Sequence, residues 1–119
     1  MSGRLRGIAL LLMMTLCAAP HNASAQPAAT TADAAAIEDL ALANRILANE
    51  GVLDAYGHVS IRHPGDPNRY LMARSLAPAL IAPSDILEFT LDSRPMKPTD
   101  VRLFTERFIH GASILRERT

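Results

Sequence analysis

Asp54-Ala55-Tyr56-Gly57-His58-Val59-Ser60-Ile61-Arg62-His63-Pro64 joins a helix-ending loop to a strand through a Gly-His pair. From Val59 to Arg62 apolar and polar residues alternate, the period of a half-buried strand. Glycine lets a ligand approach the backbone and reaches positive φ, and the imidazole beside it can give or take a proton near neutral pH. The stretch therefore reads as a ligand loop, although a glycine needed only by the turn explains the same pair.

Upstream, Ile37, Leu40, Ala41, Asn44, Leu47 and Ala48 recur at the i, i+3, i+4, i+7 spacing of one helix face, with Glu38, Asp39 and Arg45 outside it. Thr31 or Asp33 can cap this helix, and Gly51 is placed to stop it. It reads as a packing helix. Downstream, His63 to Asn68 is a cluster of turn formers, so Tyr70-Leu71-Met72-Ala73 is expected as the second strand of a hairpin. Leu76 to Ile81 is apolar but broken by Pro78, and Pro83-Ser84-Asp85 turns into a third strand over Ile86–Leu91. A last helix is expected from Glu106 onward, capped by Thr105, with Phe108, Ala112 and Leu115 on its packed face and Ile109 beside it. Arg116 and Arg118 would favour the negative end of its dipole. One helix, three short strands and a second helix make an α+β chain.

The N-terminus carries Arg4 and Arg6, an apolar segment from Ile8 to Ala19, and Ala23-Ser24-Ala25. A basic start, a short apolar core and a small-x-small end are the parts of a secretory signal, with cleavage expected after Ala25. The apolar segment is shorter than the roughly 20 residues that span a bilayer, so no stable membrane anchor is expected. The chain is thus read as residues 1–25 signal, 26–32 a Pro/Ala/Thr linker and 33–119 one small domain, periplasmic or secreted. Loss of Arg4 and Arg6 takes the net charge from zero to −2, which leaves no basic surplus for nucleic acid. The lone Cys17 lies in the signal, so no disulfide braces the domain. Without Trp, the core must come from Leu, Ile, Val and Ala.

Beyond the signal the histidines are His58, His63 and His110. None is paired as His-x-His or one helical turn from another, so sequence spacing offers no local chelate and no metal ligands are assigned. His63, before Pro64, reads as a solvated turn residue. His110 shares a helix face with Glu106 at i, i+4, as a surface or partly packed pair. Glu106 itself is either a capping charge or a general base.

Taken together, Gly57-His58-Val59-Ser60-Ile61-Arg62, Arg74-Ser75-Leu76 and Thr105-Glu106-Arg107-Phe108-Ile109-His110-Gly111 resemble the N-terminal half of the class II aldolase/adducin domain, from about Ile37 to the end. The resemblance implies an α/β/α three-layer fold with a mixed or antiparallel sheet flanked by helices. It implies metal-dependent lyase or isomerase chemistry in intact relatives: aldol cleavage, epimerisation or decarboxylation of a small hydroxy or keto substrate around a divalent cation, commonly zinc, held by three histidines. By position Glu106 would be the acid/base residue, and Gly57, His58 and Ser75 would line the substrate pocket. His58 stands where sugar-phosphate aldolases have Asn, and Phe104-Thr105 where they have the serine pair that grips phosphate. Both departures argue for a non-phosphorylated hydroxy or keto acid.

The family's His-x-His segment and third histidine would fall after Thr119, so the expectation is a truncated domain that holds no cofactor and lacks independent catalysis. The alternative is a non-enzymatic interaction module like the adducin head. Half of a sheet leaves an unpaired edge and an uncovered apolar face, which invites oligomerisation.

Overall fold

The computed structural model describes residues 31–117. The expected signal with its cleavage point, residues 26–30 of the linker, and Arg118 and Thr119 lie outside the described residues. Helix α1 spans Thr31–Asn49, strands β1, β2 and β3 span Ser60–Arg62, Arg69–Ala73 and Ile86–Thr90, and helix α2 spans Arg107–Arg116. The strands form one antiparallel meander in the order β1-β2-β3. Short 3-10 turns at Pro78–Leu80 and Pro83–Asp85 carry the chain from β2 to β3. No helix among the described residues is long and apolar enough to cross a membrane.

Helix α1 already includes Thr31 and Ala32, which the sequence reading gave to the linker, and Asp33 lies in its first turn rather than at a cap. Its buried face carries Leu40, Ala41 and Asn44, as the apolar spacing predicts. The helix stops at Gly51, whose φ of 71° is the left-handed conformation that glycine adopts without strain. There Gly51 N–H donates to the Ala48 carbonyl at 3.1 Å and Val52 N–H to that of Leu47 at 2.9 Å. This double bond pattern satisfies carbonyls that the helix end would otherwise leave unpaired.

Alternation along β2 decides the layering. Leu71 and Ala73 join Leu40, Ala41, Ile81 and Ile86 in a core under α1. Tyr70 and Met72 point the other way and join Phe89, Phe104 and Ile114 under α2. One helix therefore covers each face of the sheet, and β2, buried on both, is its centre. Strand β1 pairs Ser60 with Met72 and Arg62 with Tyr70, so these two side chains share the α2 face, while Ile61, opposite Leu71, shares the α1 face.

The packed face of α2 is not the expected one. Gly111 and Ile114 are buried, whereas Phe108 (54% exposed), Ile109 (66%) and Leu115 (50%) face outward with Ala112. The reason lies at Gly111: a Cβ there would stand 2.5 Å from the Leu91 carbonyl oxygen and 2.6 Å from Ser93 Oγ. Only a bare Cα lets the helix come this close to the β3 turn. Ser93, itself at φ 62°, donates its hydroxyl to the Arg107 carbonyl at 2.8 Å. The buried Tyr70 hydroxyl lies 2.9 Å from both Ser93 Oγ and that carbonyl, and Arg107 Nε donates back to the Ser93 carbonyl at 3.1 Å. Burial raises the Tyr70 pKa above its usual 10, against the opposing bond to Ser93, so the phenol stays a donor.

Candidate functional site

The meander, the loop after α1 and the start of α2 bring His58, Ser60, Phe104, Glu106 and His110 together on the α2 face. The loop residue Gly57 does not use positive φ, contrary to the sequence reading; the left-handed backbone among the described residues is at Gly51 and Ser93. Gly57 is required for a different reason. A Cβ there would lie 2.7 Å from Leu53 Cβ and 2.8 Å from its Cδ2, so the loop folds tightly back on the chain leaving α1. An Asp54 carboxylate accepting from Tyr56 N–H at 2.9 Å, with Gly57 N–H donating to the Asp54 carbonyl at 3.1 Å, fixes that turn.

This turn delivers His58. Its Nδ1 lies 2.9 Å from the Tyr56 carbonyl oxygen. A carbonyl only accepts, so Nδ1 carries the proton and, in the neutral ring, Nε2 keeps the lone pair. The ring stacks on Phe104 with centroids 4.2 Å apart and stands 4.9 Å from the His110 ring. His110 Nδ1 in turn lies in hydrogen-bond contact with Ser60 Oγ at 2.6 Å, across 50 residues of sequence. Burial, then the neighbouring His58, push the His110 pKa below the ordinary 6.5, and Glu106 opposes them. At neutral pH His110 is therefore uncharged.

Glu106 occupies the cap position of α2, but its side chain makes no capping hydrogen bond, and Thr105 precedes the cap. The Thr105 cap is thus corrected, whereas Glu106 stands at the cap position with its exposed carboxylate at the positive end of the helix. The Glu106 carbonyl accepts from Ile109 and His110 N–H. Ser75 joins this region through the main chain: its N–H donates to the Arg102 carbonyl at 2.8 Å, aligning the end of β2 with the segment that carries Phe104 and Glu106.

His63 goes elsewhere. Its Nδ1 accepts from Gly65 and Asp66 N–H, both at 3.1 Å, and its Nε2 lies 3.7 Å from Asp33 Oδ1 and from Glu88 Oε1. It is a turn residue clasped between α1 and β3, not the solvated one the sequence suggests. Arg62, on the α2 face, donates to the Ile114 carbonyl and to that of Pro67, and pairs with Glu117 at 3.8 Å. It thereby caps the end of α2 from another element, alongside Arg116 in the last turn. Neither the Ser60–His110 bond nor this cap has a local signature, because both partners lie about half the domain apart in sequence.

A surface depression of about 450 Å³ lies between the end of α1 and Ala79, lined by Arg45, Ile46 and Glu50. It brings together no histidine and no acid–base pair with a bonded partner, so the histidine cluster is the better site on chemistry.

A solved structure, L-fuculose 1-phosphate aldolase from Glaciozyma antarctica PI12, superposes with a TM-score of 0.64 over 76% of this chain at 24% identity. The chain has the class II aldolase fold. In sequence, this class II aldolase-like chain is 46% identical over 68 residues to the decarboxylase tropJ of Talaromyces stipitatus, a match covering 56% of the chain. No family model matches. The chain spans 26% of the length of that decarboxylase and 40% of that of the aldolase. The aldolase match is one of fold, and the decarboxylase match one of sequence over part of each chain.

Proposed function

We propose that this chain binds a non-phosphorylated hydroxy or keto acid at the loop-and-glutamate part of a lyase site, with Glu106 as the acid/base group and Gly57, His58 and Ser75 lining the pocket. The observation that carries it is the convergence of His58 on Phe104 and His110 directly beside the start of the helix that Glu106 heads. Glu106 can move a proton at the carbon or oxygen next to a carbonyl, and the His58 Nε2 lone pair can accept a hydrogen bond from a substrate hydroxyl.

The divalent cation that the resemblance implies does not fit the described residues. Their histidines are divided between the two faces of the sheet, and among the described residues no group of three or more His, Cys, Asp or Glu is placed to hold a metal ion. The chain's own residues are proposed to bind the acid without independent turnover. Export to the periplasm or the outside, with cleavage after Ala25, belongs to the same proposal and is checked by the N-terminal mass of the secreted product.

Titrating the purified chain with glycolate while following backbone amide NMR signals tests the reading. Gly57 and His58 are expected to shift, His58→Ala to weaken the affinity, and the mixture to show no aldol cleavage or decarboxylation. Unmoved signals at Gly57 and His58, or turnover by the chain alone, would contradict it. A second reading, an adducin-head-like interaction module, is favoured by the outward-facing Phe108, Ile109 and Leu115. On that reading two copies associate through α2, and Phe108→Glu lowers the mass seen by light scattering.

A further inference from the structure

The bond between Ser60 and His110 joins a strand of the sheet to the helix headed by Glu106, and it can run in either direction. A hydroxyl both donates and accepts, whereas neutral imidazole carries one proton on either nitrogen. The contact is 2.6 Å, a short hydrogen bond between side chains of β1 and α2. The resting tautomer of the inference has the ring proton on Nε2, so that Ser60 O–H donates to His110 Nδ1.

We infer that Ser60 and His110 form a proton-coupled site for an oxyanion, the carboxylate of a hydroxy or keto acid, in which protonation of His110 turns the Ser60 hydroxyl from the ring to the ligand. The inference rests on the substrate class proposed above. The step balances without a co-reactant. One solvent proton adds to His110 Nδ1; this N–H now donates to Ser60 Oγ; the Ser60 O–H, displaced from the ring, donates to the ligand oxygen. The imidazolium charge offsets the ligand's, and no covalent bond to the ligand forms or breaks.

The surroundings suit a switch of this kind. Burial and His58 disfavour the charged ring, so His110 stays neutral until an anion arrives, and Glu106 on the same helix limits how far that goes. His58 is held by the Tyr56 carbonyl and cannot take the Ser60 hydroxyl's place. Other charges on this face are engaged: Arg62 on β1 with Glu117 at the end of α2 and with the Ile114 carbonyl, and Arg107 with the Ser93 and Phe104 carbonyls. The partners are half-buried, so a small anion can reach the hydroxyl.

The test is calorimetric titration of the full chain with glycolate and, separately, acetate between pH 5 and 8, in two buffers of different ionisation enthalpy. Uptake of one proton per bound anion is expected, with affinity falling about tenfold per pH unit above the His110 midpoint. His110→Gln should flatten that slope. Ser60→Ala should keep the slope but weaken binding, with Ser60→Thr restoring it, and His58→Gln should shift the midpoint upward without removing the slope. Acetate binding with the slope but no preference for glycolate would uphold the inference and sink the hydroxy-acid reading. Glycolate binding with no proton uptake, a slope unchanged in His110→Gln, or no binding of either anion at pH 5 would overturn the inference.

Discussion

Under α1 the sheet is covered by aliphatic side chains, Leu40, Ala41, Ile81 and Ile86 against Leu71 and Ala73, whereas under α2 it is covered by Tyr70, Phe89 and Phe104 with Met72 and Ile114. The first face is held by apolar burial, the second also by hydrogen bonds that run from Tyr70 through Ser93 to Arg107 and from Arg62 to Ile114. Apolar packing tolerates small displacements of a helix. Directional bonds and a glycine contact do not, and that is the face that carries Ser60, His58 and His110. A site whose groups must meet within a few tenths of an ångström is thus placed where the helix position is fixed.

The comparison is broken most sharply at Gly111. Alanine would gain about 1 kcal/mol of helix propensity, but its Cβ would meet the backbone oxygen of Leu91, which cannot swing aside. The overlap should dominate, for a net loss of about 2 kcal/mol or more in urea unfolding and loss of the His58–His110 contact. An unchanged midpoint would mean that α2 is not clamped as described.

Smaller effects distinguish the faces further. Tyr70→Phe removes the phenolic donor while Ser93 keeps its bond to Arg107, so a loss of about 1 kcal/mol is expected by the same unfolding assay. On the α1 face the sign reverses. Asn44 is fully buried, its Nδ2 donates to the Leu40 carbonyl, and its Oδ1 has no hydrogen-bond partner among the described residues. Asn44→Leu should therefore stabilise by about 0.5–1.5 kcal/mol, and a loss would show that this oxygen is satisfied.

Stability against pH gives the finest separation. Because the folded His110 pKa lies below 6.5, the unfolded chain binds a proton first as pH falls. No penalty applies above about pH 6.5; stability drains as pH drops from there through the folded value. His110→Gln should remove this window. A second window, below 3.8, belongs to the α1 side of the fold, where the Ala82 N–H and then Arg74 hold the Asp85 carboxyl below its ordinary value; Asp85→Asn should remove only that one.

The elements themselves were legible in the sequence. Val59–Arg62 alternation, the Pro83–Asp85 turn and the Ile37–Ala48 stripe each state a local rule, and the strands and helices fall within about a residue or two of it. The packed face of α2 was not legible, because its closest contact is made by Gly111, which has no apolar signature, while the Phe108, Ala112 and Leu115 spacing imitates a core stripe. The candidate site was half legible. Gly57-His58 is marked by a local pair, but the bond from Ser60 to His110 depends on the register of β1 with β2 and on how α2 sits, and neither is written at either residue. His63 shows the same limit, since its partners Asp33 and Glu88 come from elements on both sides of it in the chain.

The central claim is that the sheet divides the histidines, His58 and His110 on the α2 face and His63 on the α1 side with Asp33 and Glu88. Anomalous scattering from crystals of the chain soaked in zinc tests it directly. The account predicts no ion shared by the three imidazoles and less than one tightly held zinc per chain; a single zinc ligated jointly by His58, His63 and His110 would contradict it.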